Sequence, residues 1–488
     1  MSNTSRSWSS QQTAIFDFFA KGKGNLVVRA RAGTGKTTTI IEALSHAGHE
    51  DRILLCAFNK RIAVELTTRI SADNAEAKTL HALGFGFIRG KWKNVTVDAD
   101  VDYDRARAAC GTNAPDDVVE AVRKLAALLK NCAPFTSDAE VVCDIGEEFD
   151  LIAEDEEEGW DAAKICEAAI TARDLAKVQD ARGRISFDDM IYVPLACDMT
   201  RRTYSMVVVD EAQDMNAAQL LLAQGACKKS GRIVVVGDDC QAIYGFRGAD
   251  ADGIDRLKME LQAKELGLTV TYRCAKNVVE VARRLVPDFS AADGNPWGTV
   301  DSLKMERIFE QAKPGDFVLS RKNAPLMGLC LGFLKRGVAA RIEGRDVAAG
   351  LRAIVNSFHA KSVPAFIERV EGWQKKQLAR AHKISRESTR ENKVSEINDK
   401  AEMLVALAEG CASVAEILTR VNTLFGDSES GQVEQRMVVC SSVHRAKGLE
   451  ADRVFVLVDT ISEKGREEKN IAYVAYTRAK SHLTMVQK

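Results

Sequence analysis

A loop between an apolar strand and a helix carries the residues best suited to phosphate chemistry, in the sequence VVRARAGTGKTTTI at residues 27–40. In such a tight loop, backbone N–H groups can surround phosphate oxygens, and the helix N-terminus adds the positive end of its dipole. Lys36 can then reach the β- and γ-phosphates of a nucleotide, and the Thr37 hydroxyl can ligate Mg²⁺. The predicted nucleotide-binding residues of this loop are Ala32, Gly33, Thr34, Gly35, Lys36 and Thr37.

Two carboxylates after a second apolar strand support this interpretation. Ala30 replaces the first glycine of the usual G-x-x-x-x-G-K-[ST] pattern, so a chance glycine-rich turn is the alternative for the loop alone. The segment VVVDEAQD places Asp210 and Glu211 where a P-loop NTPase needs one carboxylate for Mg²⁺ and another to activate the attacking water. Alone, Asp210 could be a helix N-cap. Strand, carboxylate pair and loop together predict ATP hydrolysis, with Thr37 and Asp210 as metal ligands.

Short β-branched runs alternate with longer helical patterns along the chain, which is typical of α/β units around parallel sheets. Two stretches interrupt this rhythm, at about residues 103–183 and 347–435, and we interpret both as helical insertions. The acidic segment at 147–158 and the mixed-charge segment at 375–393 fit solvated helix faces. Continuous apolar runs predict buried strands at residues 26–28, 53–58, 206–210, 233–237, 317–320, 437–440 and 454–458.

Charge and composition limit the classes of partner. The 488 residues contain 68 Lys plus Arg and 69 Asp plus Glu, so a net charge of -1 excludes a large basic surface for a polyanion. The polar N-terminus and the absence of an apolar run of roughly 18 residues predict an intracellular, cytoplasmic protein without a membrane partner. The 12 cysteines are scattered, which favours reduced, buried thiols over a zinc finger or a disulfide framework.

A series of motifs in order resembles the UvrD/Rep/PcrA group of superfamily-one DNA helicases. Beside the loop and the DEAQD strand, the most specific of them is VVGDDCQAIYGFRGAD at 235–250, because its IYGFRGA ending separates this group from helicases of opposite polarity. The motifs extend from residue 8 to residue 480. The others are WSSQQTAI at 8–15, CAFNKRIAVEL at 56–66, TLH at 79–81, ISFDDMI at 185–191, TYRC at 271–274, VHRAKGLEADRV at 443–454 and YVAYTRAK at 473–480.

This resemblance implies an α/β fold of two RecA-like P-loop motor domains with parallel sheets, each carrying a mainly helical insertion. The first, ATP-binding motor domain is predicted at 1–102 and 184–250, with its insertion at 103–183. The second motor domain is predicted at 251–346 and 436–488, with a reduced insertion at 347–435.

The resemblance also implies roles at the nucleotide. Gln12 and Tyr272 hold the adenine, the former by hydrogen bonding and the latter by stacking, and Glu450 contacts the ribose. Arg273 and Arg478 are implied as arginine fingers of the second motor domain, which stabilise charge on the transferred phosphoryl group. The implied catalytic residues are Lys36, Glu211, the γ-phosphate or water sensor Gln241, Arg273 and Arg478.

For DNA, the resemblance suggests aromatic stacking, which tolerates any base sequence. Phe58 could instead belong to the core and Tyr244 could support its own loop, while Arg247 could link the DNA side of its motif to the ATP side. The candidate DNA-binding residues are Phe58, His81, Tyr244, Phe246, Arg247 and His444.

The predicted function is an ATP- and Mg²⁺-dependent helicase or translocase moving 3′ to 5′ on single-stranded DNA. Expected partners are single-stranded and tailed duplex DNA, with DNA-repair or replication proteins beside them.

The alternative is an ATP-driven remodelling or regulatory motor subunit with little unwinding, which the reduced second insertion motivates. A metabolic P-loop NTPase would leave the two arginine motifs unexplained. Two residues depart from the family's pattern, since Phe246 replaces the commoner Trp and Thr38 stands where an Arg often follows the P-loop threonine. ATPase activity and translocation are expected to survive both changes. The balanced charge predicts few phosphate contacts and a shallow salt dependence of DNA binding.

Overall fold

Parallel strands form the frame of both halves of the chain. A computed structural model describes residues 7–57, 60–149, 151–152, 160–180, 182–243, 253–382, 384, 387–425 and 436–488. It divides into two units, Met1–Thr269 and Val270–Lys488. Among the described residues, no helix combines the length and the apolar character that crossing a membrane requires.

The first unit is built from short strands and helices that alternate along most of its length. Its strands are β1 (Leu26–Ala30), β2 (Ile53–Ala57), β3 (Ala75–Thr79), β4 (Thr96–Val97), β5 (Arg184–Ile185), β6 (Tyr204–Val209), β7 (Cys227–Gly237) and β8 (Lys264–Leu268). Its helices are α1 (Ser10–Lys21), α2 (Lys36–Ser45), α3 (Lys60–Arg69), α4 (Leu80–Arg89), α5 (Val101–Cys110), α6 (Asp116–Cys132), α7 (Ala139–Glu148), α8 (Ala162–Asp174), α9 (Asp189–Ala196), α10 (Ala217–Ala226) and α11 (Gly253–Glu260).

The main sheet of the first unit has the strand order β3-β2-β6-β7-β1-β8, and all its pairings are parallel. Apolar side chains pack on both faces, with Val27 and Val207 in one core and Val28 and Val208 in the other. This two-sided burial explains why the central strands are continuous apolar runs. Because the strands are parallel, the loops after β1, β6 and β7 leave the same edge of the sheet.

The second unit repeats this architecture with another six-stranded sheet, of order β11-β16-β15-β12-β14-β13, also parallel throughout. Its strands are β9 (Val270–Thr271), β10 (Ser290–Ala291), β11 (Thr299–Lys304), β12 (Phe317–Ser320), β13 (Ala340–Ile342), β14 (Val438–Ser442), β15 (Ala451–Leu457) and β16 (Ala479–Gln487). Its helices are α12 (Lys276–Arg283), α13 (Ile308–Gln311), α14 (Ala324–Lys335), α15 (Arg345–Ser357), α16 (Val363–Ala381), α17 (Glu387–Ala408), α18 (Val414–Leu424), α19 (Val443–Ala446) and α20 (Arg466–Tyr476).

The predicted α/β class with two parallel sheets is confirmed, and each of the seven predicted apolar runs overlaps a strand. The prediction missed polar strands, among them β3, β8, β11 and β13, which are the edge strands of the two sheets. An edge strand is only partly covered, so its sequence carries no continuous apolar run. The strand β8 also extends the first unit to Thr269, beyond the predicted boundary at residue 250, because it pairs with β1.

Both predicted insertions are mainly helical, but they pack differently. Helices α5 to α8 form a separate hydrophobic core, which includes Val122 and Leu125 of α6. Helices α15 to α18 share one core with the second sheet, so that Leu404 of α17 belongs to the same cluster as Phe455 of β15.

Candidate nucleotide and nucleic-acid sites

The loop after β1 has the backbone that close approach to a phosphate requires. Gly33 and Gly35 have positive φ angles of 68° and 78°, in the left-handed region that favours glycine. Gly35 is the N-cap of α2, so the unpaired N–H groups of the first turn of α2 begin beside Lys36. Ala32 and Thr34 are buried, and the Thr34 hydroxyl donates to the Arg31 carbonyl at 2.9 Å.

Lys36 and Glu211, which are 175 positions apart in sequence, form an ion pair across two parallel strand ends. The Lys36 Nζ lies 2.9 Å from the Glu211 Oε2. Burial opposes the charge on Lys36, but the attraction of Glu211, Asp210 and Asp238 outweighs burial and raises its pKa. The lysine is therefore held charged, in the form that can bind a phosphate.

The Asp210 carboxylate lies beside a hydroxyl at the start of α2. The Thr37 Oγ1 is 3.5 Å from the Asp210 Oδ2, which brings together two oxygen ligands of the kind that Mg²⁺ prefers. Burial, together with the negative charge of Glu211, raises the pKa of Asp210 to about 6. These two residues fit the predicted metal role.

The predicted sensor Gln241 is buried in the turn after β7, where its Nε2 donates to the Asp238 Oδ2 at 2.7 Å. Arg31, in the loop after β1, holds the other Asp238 oxygen at 2.9 Å and the Asp239 carboxylate at 2.8 Å. Sequence reasoning missed Arg31 and Asp238, because their relation depends on β1 and β7 being neighbours in the sheet.

Gln12 lies at the start of α1 and is buried. Its Oε1 accepts the Ser9 N–H at 3.0 Å, which completes a capping box, and its Nε2 donates to the Thr39 Oγ1 at 2.9 Å. Thr39 belongs to α2, so this glutamine connects α1 with the helix that follows the phosphate loop. The neighbouring Gln11 bonds to Thr269 through both ends of its amide.

In the second unit, Arg273 and Arg478 lie close enough to interact electrostatically. Burial, and then the positive charge of Arg273, lowers the pKa of Arg478 to about 9. Arg478 donates to the carbonyls of Val474 and Leu449 and to the Thr477 hydroxyl, all of them neutral acceptors. The folded chain therefore disfavours the positive charge of Arg478, which lies buried beside a second arginine.

Some hydrogen-bond donors of the Arg273 guanidinium lack an acceptor among the described residues. Its Nη1 contacts the Glu450 Oε2 at 3.3 Å, but its Nε and Nη2 are buried and have no hydrogen-bond acceptor in the part of the chain that the structure describes. Glu450 is also held by Lys480 at 2.8 Å, and these two cations overcome the effect of burial and lower its pKa. Tyr272, the predicted adenine-stacking residue, is 50% exposed and adjoins Arg273 in sequence.

Among the predicted DNA-binding residues, His81 has a clear structural partner. Its ring stacks on Phe187 with a centroid distance of 3.9 Å, and burial lowers the pKa of His81 to about 4, so it is uncharged at neutral pH. Phe187 is 59% exposed and was not predicted as a site residue, although the ISFDDMI motif contains it. His444 follows Val443, the first residue of α19 in the second unit, and is partly buried. The remaining candidates, Phe58, Tyr244, Phe246 and Arg247, lie outside the described residues.

The parallel sheet, the phosphate loop at the start of α2 and the carboxylates after β6 define a P-loop nucleotide-binding protein. Residues 8–262 match the UvrD/REP helicase N-terminal domain, and residues 340–488 match the UvrD-like helicase C-terminal domain. The chain belongs to the UvrD/REP helicase family, as its motifs predict.

Helicases from several organisms are similar to this chain. It is 25% identical over 545 residues to the ATP-dependent DNA helicase UvrD2 of Mycobacterium tuberculosis, covering 95% of this chain and 76% of that protein. It is 24% identical over 515 residues to the F-box DNA helicase protein 1 of Schizosaccharomyces pombe, covering 94% of this chain and 55% of that one. A match to the probable DNA helicase II homolog of Mycoplasma pneumoniae, at 26% identity, covers 57% of this chain and 42% of the relative. The chain thus spans only about half the length of some of these relatives.

Proposed function

We propose that this protein is a DNA-stimulated ATPase that uses hydrolysis to move along single-stranded DNA and to separate duplex strands. The observation that carries the proposal is the pairing of Lys36 with Glu211 at 2.9 Å beside Asp210, in a chain whose sequence belongs to the UvrD/REP helicase family. The printed names of its relatives, which include ATP-dependent DNA helicases, support the same activity.

In this proposal, each group at the first sheet has a definite task. Lys36 and the N–H groups of the loop bind the β- and γ-phosphates of ATP, and Glu211 orients the attacking water and accepts its proton. Thr37 and Asp210 would hold Mg²⁺, which supplies positive charge to the phosphates when bound. Gln241 is the proposed sensor of the reacting phosphate and Gln12 the proposed hydrogen-bonding partner of the adenine. Tyr272 and Glu450 keep the adenine-stacking and ribose-binding roles that the family resemblance implies.

Arg273 and Arg478 supply positive charge to the transition state. The buried Nε and Nη2 donors of Arg273 suit the oxygens of a phosphoryl group, because a guanidinium presents its donors in a fixed fork. Such arginines are worth about 10³ to 10⁵ in kcat where they have been measured in NTPases.

We further propose that the helices at 103–183 and 347–435 are auxiliary domains of the two motor domains. For DNA, the exposed ring of Phe187, supported by His81, is a stacking surface on the first unit. Base stacking on an aromatic side chain contributes about 1 to 3 kcal/mol per base and does not depend on the base, which suits a translocating enzyme. Single-stranded and tailed duplex DNA are the proposed substrates, with 3′ to 5′ movement and DNA-repair or replication proteins as partners.

The test is steady-state ATP hydrolysis with single-stranded DNA, duplex DNA and RNA, followed by displacement of a strand from 3′-tailed and 5′-tailed duplexes. We expect the strongest stimulation by single-stranded DNA and faster displacement on the 3′ tail. Faster displacement on the 5′ tail would contradict the polarity. Hydrolysis that no polynucleotide stimulates would contradict the whole proposal.

A salt titration of DNA binding tests how the balanced charge is used. With a net charge of -1, we expect few phosphate contacts and a shallow slope of log affinity against log salt. Affinity should also change with nucleotide state. A steep slope that is indifferent to nucleotide would indicate a basic surface instead.

A motor that remodels or regulates proteins on DNA, with little unwinding of its own, is the second candidate. Helices α15 to α18 favour it, because they share the core of the second sheet and have, among the described residues, only a small cluster of their own around Ile384 and Ile397. Measurable translocation on single strands without strand displacement would support this candidate over a helicase.

A further inference from the structure

Gln213 lies in the turn after β6, and both ends of its side chain are engaged. The residue is 2% exposed. Its Nε2 donates to the Glu211 Oε2 at 2.6 Å, and its Oε1 accepts the Asp238 N–H at 3.0 Å. The amide therefore joins the carboxylate after β6 to the backbone after β7.

The groups on either side extend this connection to the phosphate loop at two points. The Glu211 oxygen that accepts from Gln213 also accepts from Lys36. At the other end, the Asp238 carboxylate accepts from Arg31. A chain of hydrogen bonds thus runs from Lys36 through Glu211, Gln213 and Asp238 to Arg31, and the phosphate loop connects its two ends.

The sensor belongs to this chain of hydrogen bonds as well. The Gln241 Nε2 donates to the second Asp238 oxygen at 2.7 Å, while Gln213 holds the backbone N–H of the same aspartate. A displacement of the turn after β7 would therefore change the positions of both Gln241 and Glu211. These two residues are the ones that a water attacking the γ-phosphate would need in register.

Only an amide of this length satisfies both partners. Glu211 needs a donor, the Asp238 N–H needs an acceptor, and a glutamine side chain offers one of each. A leucine would remove one of the donors to Glu211 and leave the Asp238 N–H without this acceptor, and an ionised glutamate would place a second carboxylate against Glu211. The neighbouring backbone is equally restrictive, because a Cβ built on Gly237 would lie 2.6 Å from the Gln213 Oε1.

Glu211 also has a backbone that needs support. Its φ of 52° and ψ of 41° lie in the left-handed region, which is uncommon for residues other than glycine. Such a conformation persists where surrounding contacts determine it, and the side-chain bonds to Lys36 and Gln213 are among those contacts.

We propose that Gln213 is a positioning residue for ATP hydrolysis: it sets the Glu211 carboxylate and the Gln241 sensor in one rigid unit with the phosphate loop. This inference rests on the proposed function, since it concerns the same nucleotide site. Gln213 acts through Glu211 and Asp238 and is not itself a catalytic residue.

The first experiment compares Gln213→Leu and Gln213→Glu with the wild-type protein. Both should lower the kcat of DNA-stimulated hydrolysis by about 10- to 100-fold, as expected for a misplaced reacting group. The dissociation constant of a fluorescent ADP analogue should change less than twofold, because the phosphate loop itself is intact. Unchanged kcat in both variants would overturn the proposal.

Gln219→Leu is the matched control. Gln219 also loses a hydrogen bond on this change, since its Oε1 accepts the Asn216 N–H at the start of α10, away from the nucleotide site. It should lower the melting temperature and leave kcat unchanged. If Gln219→Leu and Gln213→Leu reduced kcat equally, general destabilisation would replace positioning as the explanation.

A double-mutant cycle with Glu211→Gln separates positioning from any independent role. If Gln213 acts through Glu211, Gln213→Leu should have less than a threefold further effect on kcat in the Glu211→Gln background. Fully additive losses would overturn the proposal.

Hydrogen exchange supplies a readout that does not depend on activity. Gln213→Leu should speed exchange in a peptide covering residues 237–241, because the Asp238 N–H loses its acceptor, and Gln219→Leu should not. Unchanged exchange in Gln213→Leu would overturn the link even if hydrolysis were lost. Conversely, the wild-type protein could fail to hydrolyse nucleotide while Gln213→Leu still sped exchange at residues 237–241. That result would refute the proposed function and keep the structural link.

Discussion

The two units neutralise the cations of their candidate sites to different degrees, since of the two arginines in the second unit Arg273 contacts a carboxylate, that of Glu450, while Arg478 bonds neutral groups. In the first unit, Lys36 lies against Glu211 and Arg31 lies against Asp238 and Asp239, so each cation has carboxylates within hydrogen-bonding distance. In the second unit, Arg478 bonds neutral acceptors, and its neighbour Arg273 retains two buried donors without an acceptor among the described residues.

This difference indicates how the two sites are prepared for an anion. The first site is neutralised in advance by its own carboxylates, so an incoming phosphate must compete with Glu211 for Lys36. The second site keeps positive charge that the folded chain does not fully neutralise, at a cost in stability. Preorganised charge of this kind is what stabilises a transition state, because no reorganisation is needed when the reaction occurs.

The largest expected effect comes from the second unit. Arg273→Met should lower the kcat of DNA-stimulated hydrolysis by about 10³- to 10⁵-fold, since under the proposed function the transition state loses one of its two arginines. Phosphate-release measurements under saturating ATP test this, with the exposed Arg284→Met as the control of the same chemical change. A loss below tenfold would show that the surplus donors of Arg273 serve another purpose.

A smaller loss is expected from the first unit. Lys36→Met should lower kcat by about 10²- to 10³-fold and also weaken nucleotide binding, because one preorganised contact to the phosphates is lost. Titration with a fluorescent nucleotide, beside the hydrolysis assay, separates the two effects, and the exposed Lys23→Met serves as the control. Retained DNA-stimulated hydrolysis would refute the assignment of the loop.

A substitution in each unit should change stability in opposite directions. Arg478→Met should raise the free energy of unfolding by about 1 to 4 kcal/mol, because burial and the positive charge of Arg273 disfavour the charged form of Arg478 in the folded chain. Lys36→Met should lower that free energy, since Glu211 and Asp210 would remain as neighbouring carboxylates without their cation. Urea unfolding of both variants measures the signs, and equal signs would contradict the comparison.

The smallest expected effect concerns His81 of the first unit, which is uncharged in the folded chain at neutral pH. The pKa of His81 is lowered to about 4 by burial, so the unfolded chain binds its proton first. Stability from this residue is present above pH 6.5 and is lost as the pH falls, by about 2 kcal/mol at pH 5. Unfolding by urea at pH 7 and pH 5 should show a weaker pH dependence in His81→Gln than in the wild type.

The exposed His49→Gln provides the control for that measurement. It should leave the pH dependence as it is in the wild type. If His81→Gln behaved in the same way, His81 would be able to take up a proton in the folded state.

The helical insertions of the two units also differ, in the hydrophobic core to which their helices belong. Helices α5 to α8 have a core of their own, while α15 to α18 share the core of the second sheet. Composition and spacing predicted helices in both regions. They could not separate the two arrangements, because that depends on which apolar face meets the sheet.

The sequence by itself determined the central strands, the phosphate loop and the carboxylate pair. Val207, Val208 and Val209 are buried on both faces of a sheet, so their types alone reveal a strand. Lys36 and the residues around it are adjacent in the chain, and their chemistry can be deduced from the spacing. Arg273 and Arg478 were found through the family's motifs rather than through any local physical signal.

The tertiary structure alone decided which distant groups meet. Gln213 contacts Asp238, Arg31 contacts the same aspartate, and the Phe187 ring lies on His81, although none of these pairs is close in sequence. The polar edge strands β3 and β8 likewise became recognisable only from their pairing with β2 and β1. Local sequence specifies strands and turns through short-range preferences. The order of the strands in a parallel sheet determines which turns share an edge, and that order depends on how the whole chain packs.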